Sequence, residues 1–228
     1  MQEELKSFPN NYESVIRTFG RIKSRKLSDR KNFLLHDLLP IYKITHFSPE
    51  LSQKTCLEIG FGFGDFLFAK AKQNPNTFFI GSEPHLNGIV NLLSKLEAEP
   101  LQNLRIFSSD IRLFFQNSAV KFDEILILFP DPWPKSKHFK RRLITTEFLD
   151  NVLSPHAKNG AKLTIASDHD SYKTWILAQI LQSKKFTWLA NSKADWQNFP
   201  DDWVVTKYQK KASLEGRKSI IFNLTHHD

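Results

Sequence analysis

The chain has 228 residues, 40% of them hydrophobic, enough to bury one sizeable core. No window reaches the roughly 18 apolar residues of a membrane span, and the start, MQEELKSFPN, has neither the cationic nor the apolar stretch of a secretory leader, so a cytoplasmic protein that does not enter membranes is expected. Net charge is +8, the single cysteine cannot form an internal disulfide, and the eight histidines show no paired ligand spacing, so no metal is expected.

The charge is unevenly spread. Residues 17–31 hold seven cations and one acid, residues 135–142 hold five cations, and residues 207–218 hold five cations and one acid. Outside these windows acids outnumber cations. Such segregation, with Phe19, Phe139 and Tyr208 interleaved, points to a polyanion and specifically to nucleic acid.

Residues 1–50 carry the densest basic run and only a short helical pattern around Phe33 to Tyr42, and read as a basic N-terminal extension. From residue 51 to 228 the chain reads as one α/β domain. Short apolar runs alternate with helical periodicity, the pattern of a Rossmann-like, doubly wound, mostly parallel sheet flanked by helices. Seven strands are predicted: TCLEIG, TFFIGS, NLRIFSS, FDEILILF, GAKLTIAS, FTWLA and KSIIFNL. Between them Leu86, Ile89, Val90, Leu93 and Leu96 keep the spacing of a core-facing helix, as do Ile144, Phe148, Leu149 and Val152, and Tyr172, Trp175, Ile176 and Ile180. Pro75, Pro100 and the Asn159-Gly160 pair are expected at turns between elements. Residues 191–217 are long for a structureless connection and are expected to be functional.

The first strand runs into LEIGFGFGDF. A dinucleotide-binding fingerprint needs a further glycine at position 65 or 67, where Asp65 and Leu67 stand, so Gly60, Gly62 and Gly64 suit a ligand without a pyrophosphate. Acids follow at four strand ends. Glu58 precedes the glycines, Glu83 is placed to take both ribose hydroxyls, Asp110 to meet an adenine amine or to cap a helix, and Asp131 lies between two prolines. A crevice receiving a sugar, a base and a cation matches S-adenosylmethionine, whose sulfonium carboxylates would hold.

After the fourth strand comes FPDPWPKSKHFKRR. Asp131 is set to accept hydrogen bonds or orient an amine, Trp133 to stack, and Lys135 with the following cations to hold phosphates. In ASDHDSY, Asp170 is expected to cap a helix and Asp168 to belong to the site. His138 and His169 are expected near phosphate or at the surface.

These segments in their order, LEIGFGFGDF, GSEPH, SSDI, FPDPWPKSKHFKRR, ASDHDSY and TKYQKKA, with RTFGRIKSRK near the start, resemble the bacterial tRNA (guanine-N7)-methyltransferase family. The resemblance implies methyl transfer from S-adenosylmethionine to N7 of a guanine in the tRNA variable loop, by a monomer or homodimer. It implies that Glu58, Glu83, Asp110 and Asp131 contact the cofactor, that Asp131 is also the active-site acid, and that Lys135, Asp168, Thr206, Lys207, Tyr208 and Gln209 contact tRNA. The family usually has glutamate where this chain has Gln209. Three other readings stay open on the residues alone. Asp131-Pro132-Trp133 is one proline short of the turn of exocyclic-amine methyltransferases, and a nicotinamide-dependent oxidoreductase or a binding module without activity would share the sheet.

Overall fold

The computed structural model describes residues 28–44 and 53–228. The basic stretch from Arg17 to Lys26, with Arg21, Lys23 and Arg25, lies outside the described residues.

Described residues begin with α1 (Asp29–Phe33), a wide turn at Leu34–Leu38 and α2 (Leu39–Tyr42). Pro40 has no N–H to offer the preceding turn, and the backbone opens into the wide turn just ahead of it. This run packs onto the domain rather than away from it. Leu34 and Tyr42 are buried, Ile44 N donates to Ile106 O at 2.9 Å, and Arg30 pairs with Glu97.

The remaining elements are β1 (Lys54–Ile59), α3 (Asp65–Gln73), β2 (Thr77–Ser82), α4 (Leu86–Ala98), β3 (Leu104–Phe107), α5 (Ile111–Gln116), β4 (Phe122–Leu128), β5 (Ala157–Ser167), α6 (Asp170–Gln182), β6 (Phe186–Trp188), α7 (Ala194–Gln197), α8 (Lys207–Leu214) and β7 (Ile220–His226). The strands form one seven-stranded sheet in the order β3-β2-β1-β4-β5-β7-β6. All neighbours are parallel except β7, which runs antiparallel to both β5 and β6. The expected doubly wound, mostly parallel sheet is therefore present.

Both faces are covered, which is why the central strands are apolar without alternation. Ile125 and Ile127 of β4 enter the core on one face with Tyr172 and Ile176 of α6. Leu126 and Leu128 enter the other with Cys56, Ile89, Leu92 and Leu93. Cys56 is the small buried hydrophobe its context suggests, and burial pushes its thiol well up.

Two sequence expectations need correction. Asn159-Gly160 is not a turn between elements but lies inside β5, where Gly160 has φ 78°. Strand pairing with β4 shifts there, from Phe122↔Ala157 to Glu124↔Lys162, so the dipeptide forms a bulge. The pattern around Ile144 to Val152 does not make a regular helix. It becomes a wide turn at Phe148–Leu153 closed by a tight turn at Ser154–His156, where Pro155 ends it.

Strand order reverses between β1 and β4. The crevice beyond the carboxyl ends of the strands at such a reversal is where ligands of open α/β sheets bind. Glu58, Glu83, Asp110 and Asp131 all fall at that edge.

Candidate active site

Backbone hydrogen bonds brace the loop after β1 at both ends. Gly60 N donates to Ser82 O at 2.8 Å and Gly64 N to Phe61 O at 2.9 Å, while Gly60, Gly62 and Gly64 have φ of 74°, 55° and 72°. All three occupy left-handed backbone that favours glycine. A Cβ on Gly60 would meet nothing within 4 Å, so this glycine opens onto the crevice.

Glu83 holds the loop from the neighbouring strand. Its Oε2 accepts from Gly62 N and its Oε1 from His85 N, both at 2.9 Å. Burial raises its pKa, while the two backbone donors act against that rise. A carboxylate has about four acceptor positions, so two remain for ribose hydroxyls. Glu58 differs. It is 2% exposed, and its Oε2 is buried with no hydrogen-bond partner among the described residues. Burial first, then the charges of Glu83 and Asp65, push its carboxyl up to about 8. A buried polar atom without a partner is costly, and it is suited to a donor or cation arriving from outside.

Asp110 is more occupied than its sequence role suggests. It caps α5, accepting from Arg112 N at 3.0 Å, and the same carboxylate takes the Arg112 side chain at 2.9 and 2.7 Å. An adenine amine would have to share it with these donors.

Asp131 projects from a strained turn. Phe129 and Trp133 have φ of 54° and 41°, sparsely populated values for bulky residues, and they bracket Pro130-Asp131-Pro132. Phe129 N is fixed to Ala166 O at 2.8 Å. Asp131 is solvent-accessible, yet the crevice wall withdraws enough water to raise its pKa. Arg141 lies over the Trp133 ring at 4.8 Å and His138 meets its edge at 5.7 Å.

The 135–142 window divides in two. Lys135, Lys137 and Lys140 are exposed, whereas Arg142 is buried, which corrects its reading as a phosphate-facing cation. Asp168 is half-buried with its Oδ2 on Arg217 Nε at 2.7 Å. Asp170 does not cap α6. His169 holds that position without a side-chain bond to the helix backbone, and the exposed Asp170 carboxylate pairs with Lys173.

The segment after β6 provides what sequence could not place. Thr206 caps α8, its buried Oγ1 accepting from Gln209 N at 3.1 Å. The helix then lies on the glycine loop. Tyr208 Cε2 would be 3.0 Å from a Cβ on Gly62, and Lys207 Nζ sits 4.5 Å from the centre of the Phe63 ring. Gln209 Oε1 accepts from Trp203 Nε1 at 2.8 Å. Glu58, Gly60, Phe63, Thr206, Lys207 and Tyr208 thus line one crevice, which encloses about 20 Å³ with Tyr208 in this place. That is room for about one water between Tyr208 and the glycine loop. Gly88 also escaped the sequence reading, because its contact with Gly62 O joins segments distant in the chain.

The strand order, the glycine loop after β1 and the acid after β2 define a class I S-adenosylmethionine-dependent methyltransferase. The orphaned Glu58 oxygen, the open face at Gly60 and the remaining acceptors of Glu83 fit that methyl donor. A solved structure described as an antibiotic-related methyltransferase is similar in fold, with TM-score 0.51, 17% identity, and coverage of 90% of this chain and 96% of that one. A putative methyltransferase from Streptococcus mutans in complex with SAH gives TM-score 0.51 at 10% identity, covering 88% and 99%.

Residues 52–222 match a family described as putative methyltransferase. The tRNA (guanine-N(7)-)-methyltransferase of Rhizobium meliloti (strain 1021) is 38% identical over 215 residues, covering 88% of this chain and 91% of that protein. Its counterpart from Hyphomonas neptunium (strain ATCC 15444) is 38% identical over 205 residues, covering 86% and 93%. The chain belongs to the tRNA (guanine-N7)-methyltransferase family, S-adenosylmethionine-dependent enzymes.

Proposed function

We propose that this protein methylates N7 of a guanine in the variable loop of tRNA, with Asp131 as the residue that meets the reacting base. The observation that carries the role of Asp131 is its placement on a strained turn at the β1/β4 reversal, with the exposed Lys135, Lys137 and Lys140 directly following.

Guanine N7 has a lone pair available at neutral pH, so no group has to remove a proton from the attacking atom. When bound, S-adenosylmethionine would supply the methyl, the C–S electron pair returning to sulfur as the N7–C bond forms. The chain's task is alignment, a contribution that can reach roughly 7–11 kcal/mol. Asp131 accepts from the guanine N1 and N2 hydrogens, and its charge balances the positive charge developing on the ring. Glu83 takes the ribose, Glu58 the cationic end of the cofactor, and Gly60, Gly62 and Gly64 let the loop backbone approach it. Asp110, shared with Arg112, holds the base.

Lys135 and the neighbouring lysines hold tRNA phosphates. Thr206, Lys207, Tyr208 and Gln209 close over the cofactor from α8 and carry the substrate contact there; Asp168 contributes through its pair with Arg217. Among the described residues no helix is long and apolar enough to cross a membrane.

The test is a tRNA whose target guanine is replaced by 7-deazaguanine. It should bind and receive no methyl, since carbon stands where the nucleophile should be. Transfer to that substrate overturns the N7 reading and favours an exocyclic amine, whose nitrogen is untouched.

A further inference from the structure

Arg142 is the one cation of the 135–142 window that is fully buried, with 4% exposure. Its guanidinium is enclosed by aromatic faces, 3.8 Å from the centre of Phe139, 4.9 Å from Trp175 and 5.2 Å from Tyr172. Its Nε donates to Pro132 O at 3.0 Å and its Nη2 to Ser171 Oγ at 3.3 Å. No carboxylate is among its described contacts, and burial lowers its pKa. A charge taken out of water with only a carbonyl, a hydroxyl and ring faces as partners is an expensive way to fill space.

The place of the carbonyl gives it a purpose. Pro132 follows Asp131 directly, and the turn on either side is strained at Phe129 and Trp133. Such backbone persists only when its surroundings hold it. Arg142 reaches this carbonyl from the α6 side, and the same aromatic residues fix the chain just beyond it: Ile144 N donates to Tyr172 Oη at 3.2 Å, and Trp175 Nε1 donates to Ile144 O at 2.7 Å. The turn carrying Asp131 is therefore bolted to α6 through Arg142.

We propose that Arg142 is a positioning residue for methyl transfer, acting on the substrate only through Asp131 by locking the Pro132 carbonyl. This rests on the role given to Asp131 above. Its planar fork is what the site uses. A lysine keeps the charge but cannot both stack between rings and direct Nε at the carbonyl.

The experiment is a double-mutant cycle on the full-length chain with tRNA, comparing Arg142→Lys, Asp131→Asn and the pair at a temperature well below melting. Arg142→Lys should lower kcat about 10-fold or more, with calorimetric S-adenosylmethionine affinity within about 3-fold of wild type. The double variant should be no slower than Asp131→Asn alone. Losses that multiply, or an effect confined to cofactor affinity, overturn the proposal. Near-normal turnover by Asp131→Asn overturns the role of Asp131 and this proposal with it, an outcome distinct from multiplying losses, which remove only Arg142. Should Arg142→Lys fail to fold, Ser171→Ala takes its place in the cycle. A kcat loss seen only when Asp131 is present supports the lock; no loss, or an equal loss in both backgrounds, overturns it.

Discussion

Gly88 of α4 lies directly against the carbonyl of Gly62: a Cβ at position 88 would stand 2.3 Å from that oxygen and 3.1 Å from Glu83 Cγ. In an exposed helix, alanine in place of glycine stabilises by about 1 kcal/mol. The contact reverses the sign, because the oxygen belongs to the backbone of the glycine loop and cannot rotate aside. Gly88→Ala should lower the melting temperature and weaken S-adenosylmethionine binding at least about 10-fold, or roughly 1.4 kcal/mol. Thermal unfolding and calorimetry check this. A higher melting temperature with unchanged affinity shows that the loop yields without cost.

Gln209 anchors α8. Its Oε1 receives the Trp203 indole N–H, and Trp203 is packed against Phe66 at 4.7 Å and Phe199 at 4.8 Å. Glutamate offers the same acceptor, so Gln209→Glu should stay within about 0.5 kcal/mol of wild type in denaturant unfolding. Gln209→Leu leaves the indole unpaired and should cost about 1–3 kcal/mol. If Gln209→Leu keeps full stability yet loses activity on tRNA, the side chain serves the substrate contact and not the anchoring of α8.

Phosphate binding should come from Lys135, Lys137 and Lys140, which are exposed and have no ion pair among the described residues. Replacing all three by alanine should reduce the slope of log affinity against log salt by up to about 2, at roughly 0.7 for each phosphate that is no longer neutralised. Arg142→Gln should leave that slope unchanged. A tRNA titration across salt concentrations distinguishes the two. A slope that survives the triple variant assigns phosphate binding to other residues.

The sheet was legible because its strands are short apolar runs bounded by turn residues; TFFIGS, for instance, is β2 residue for residue. The glycine loop and the four acids were legible because their positions follow from where strands end. Less could be read where a residue's environment is assembled from distant segments. Arg142 looked like its lysine neighbours, since the Tyr172 and Trp175 that enclose it come from α6. Helix α8 has too few apolar residues to announce itself, and only its contact with the glycine loop reveals its place. Asn159-Gly160 was misread because a turn dipeptide also serves as a bulge when strand pairing resumes on both sides.

The carboxyl of Glu58 gives a pH signature. Its folded value of about 8, against an ordinary 4.5, means that the cofactor-free native state holds a proton between these limits that the unfolded chain has released. Stability from this group is fully present below about pH 4.5 and falls as pH rises, by up to about 1.4 kcal/mol per unit, levelling off above about 8. Glu58→Gln should flatten the profile of melting temperature against pH over that range. Binding has the opposite dependence. A cation or N–H donor brought to Oε2 favours the ionised form, so S-adenosylmethionine should displace a proton at pH 7 and bind more tightly as pH approaches 8. Calorimetry at pH 7 in buffers of different ionisation enthalpy reads this directly: the observed heat should vary with the buffer for wild type and lose that Glu58-dependent part in Glu58→Gln. Heats independent of buffer in the wild-type protein would show that Glu58 stays protonated in the complex and meets the cofactor as a neutral group.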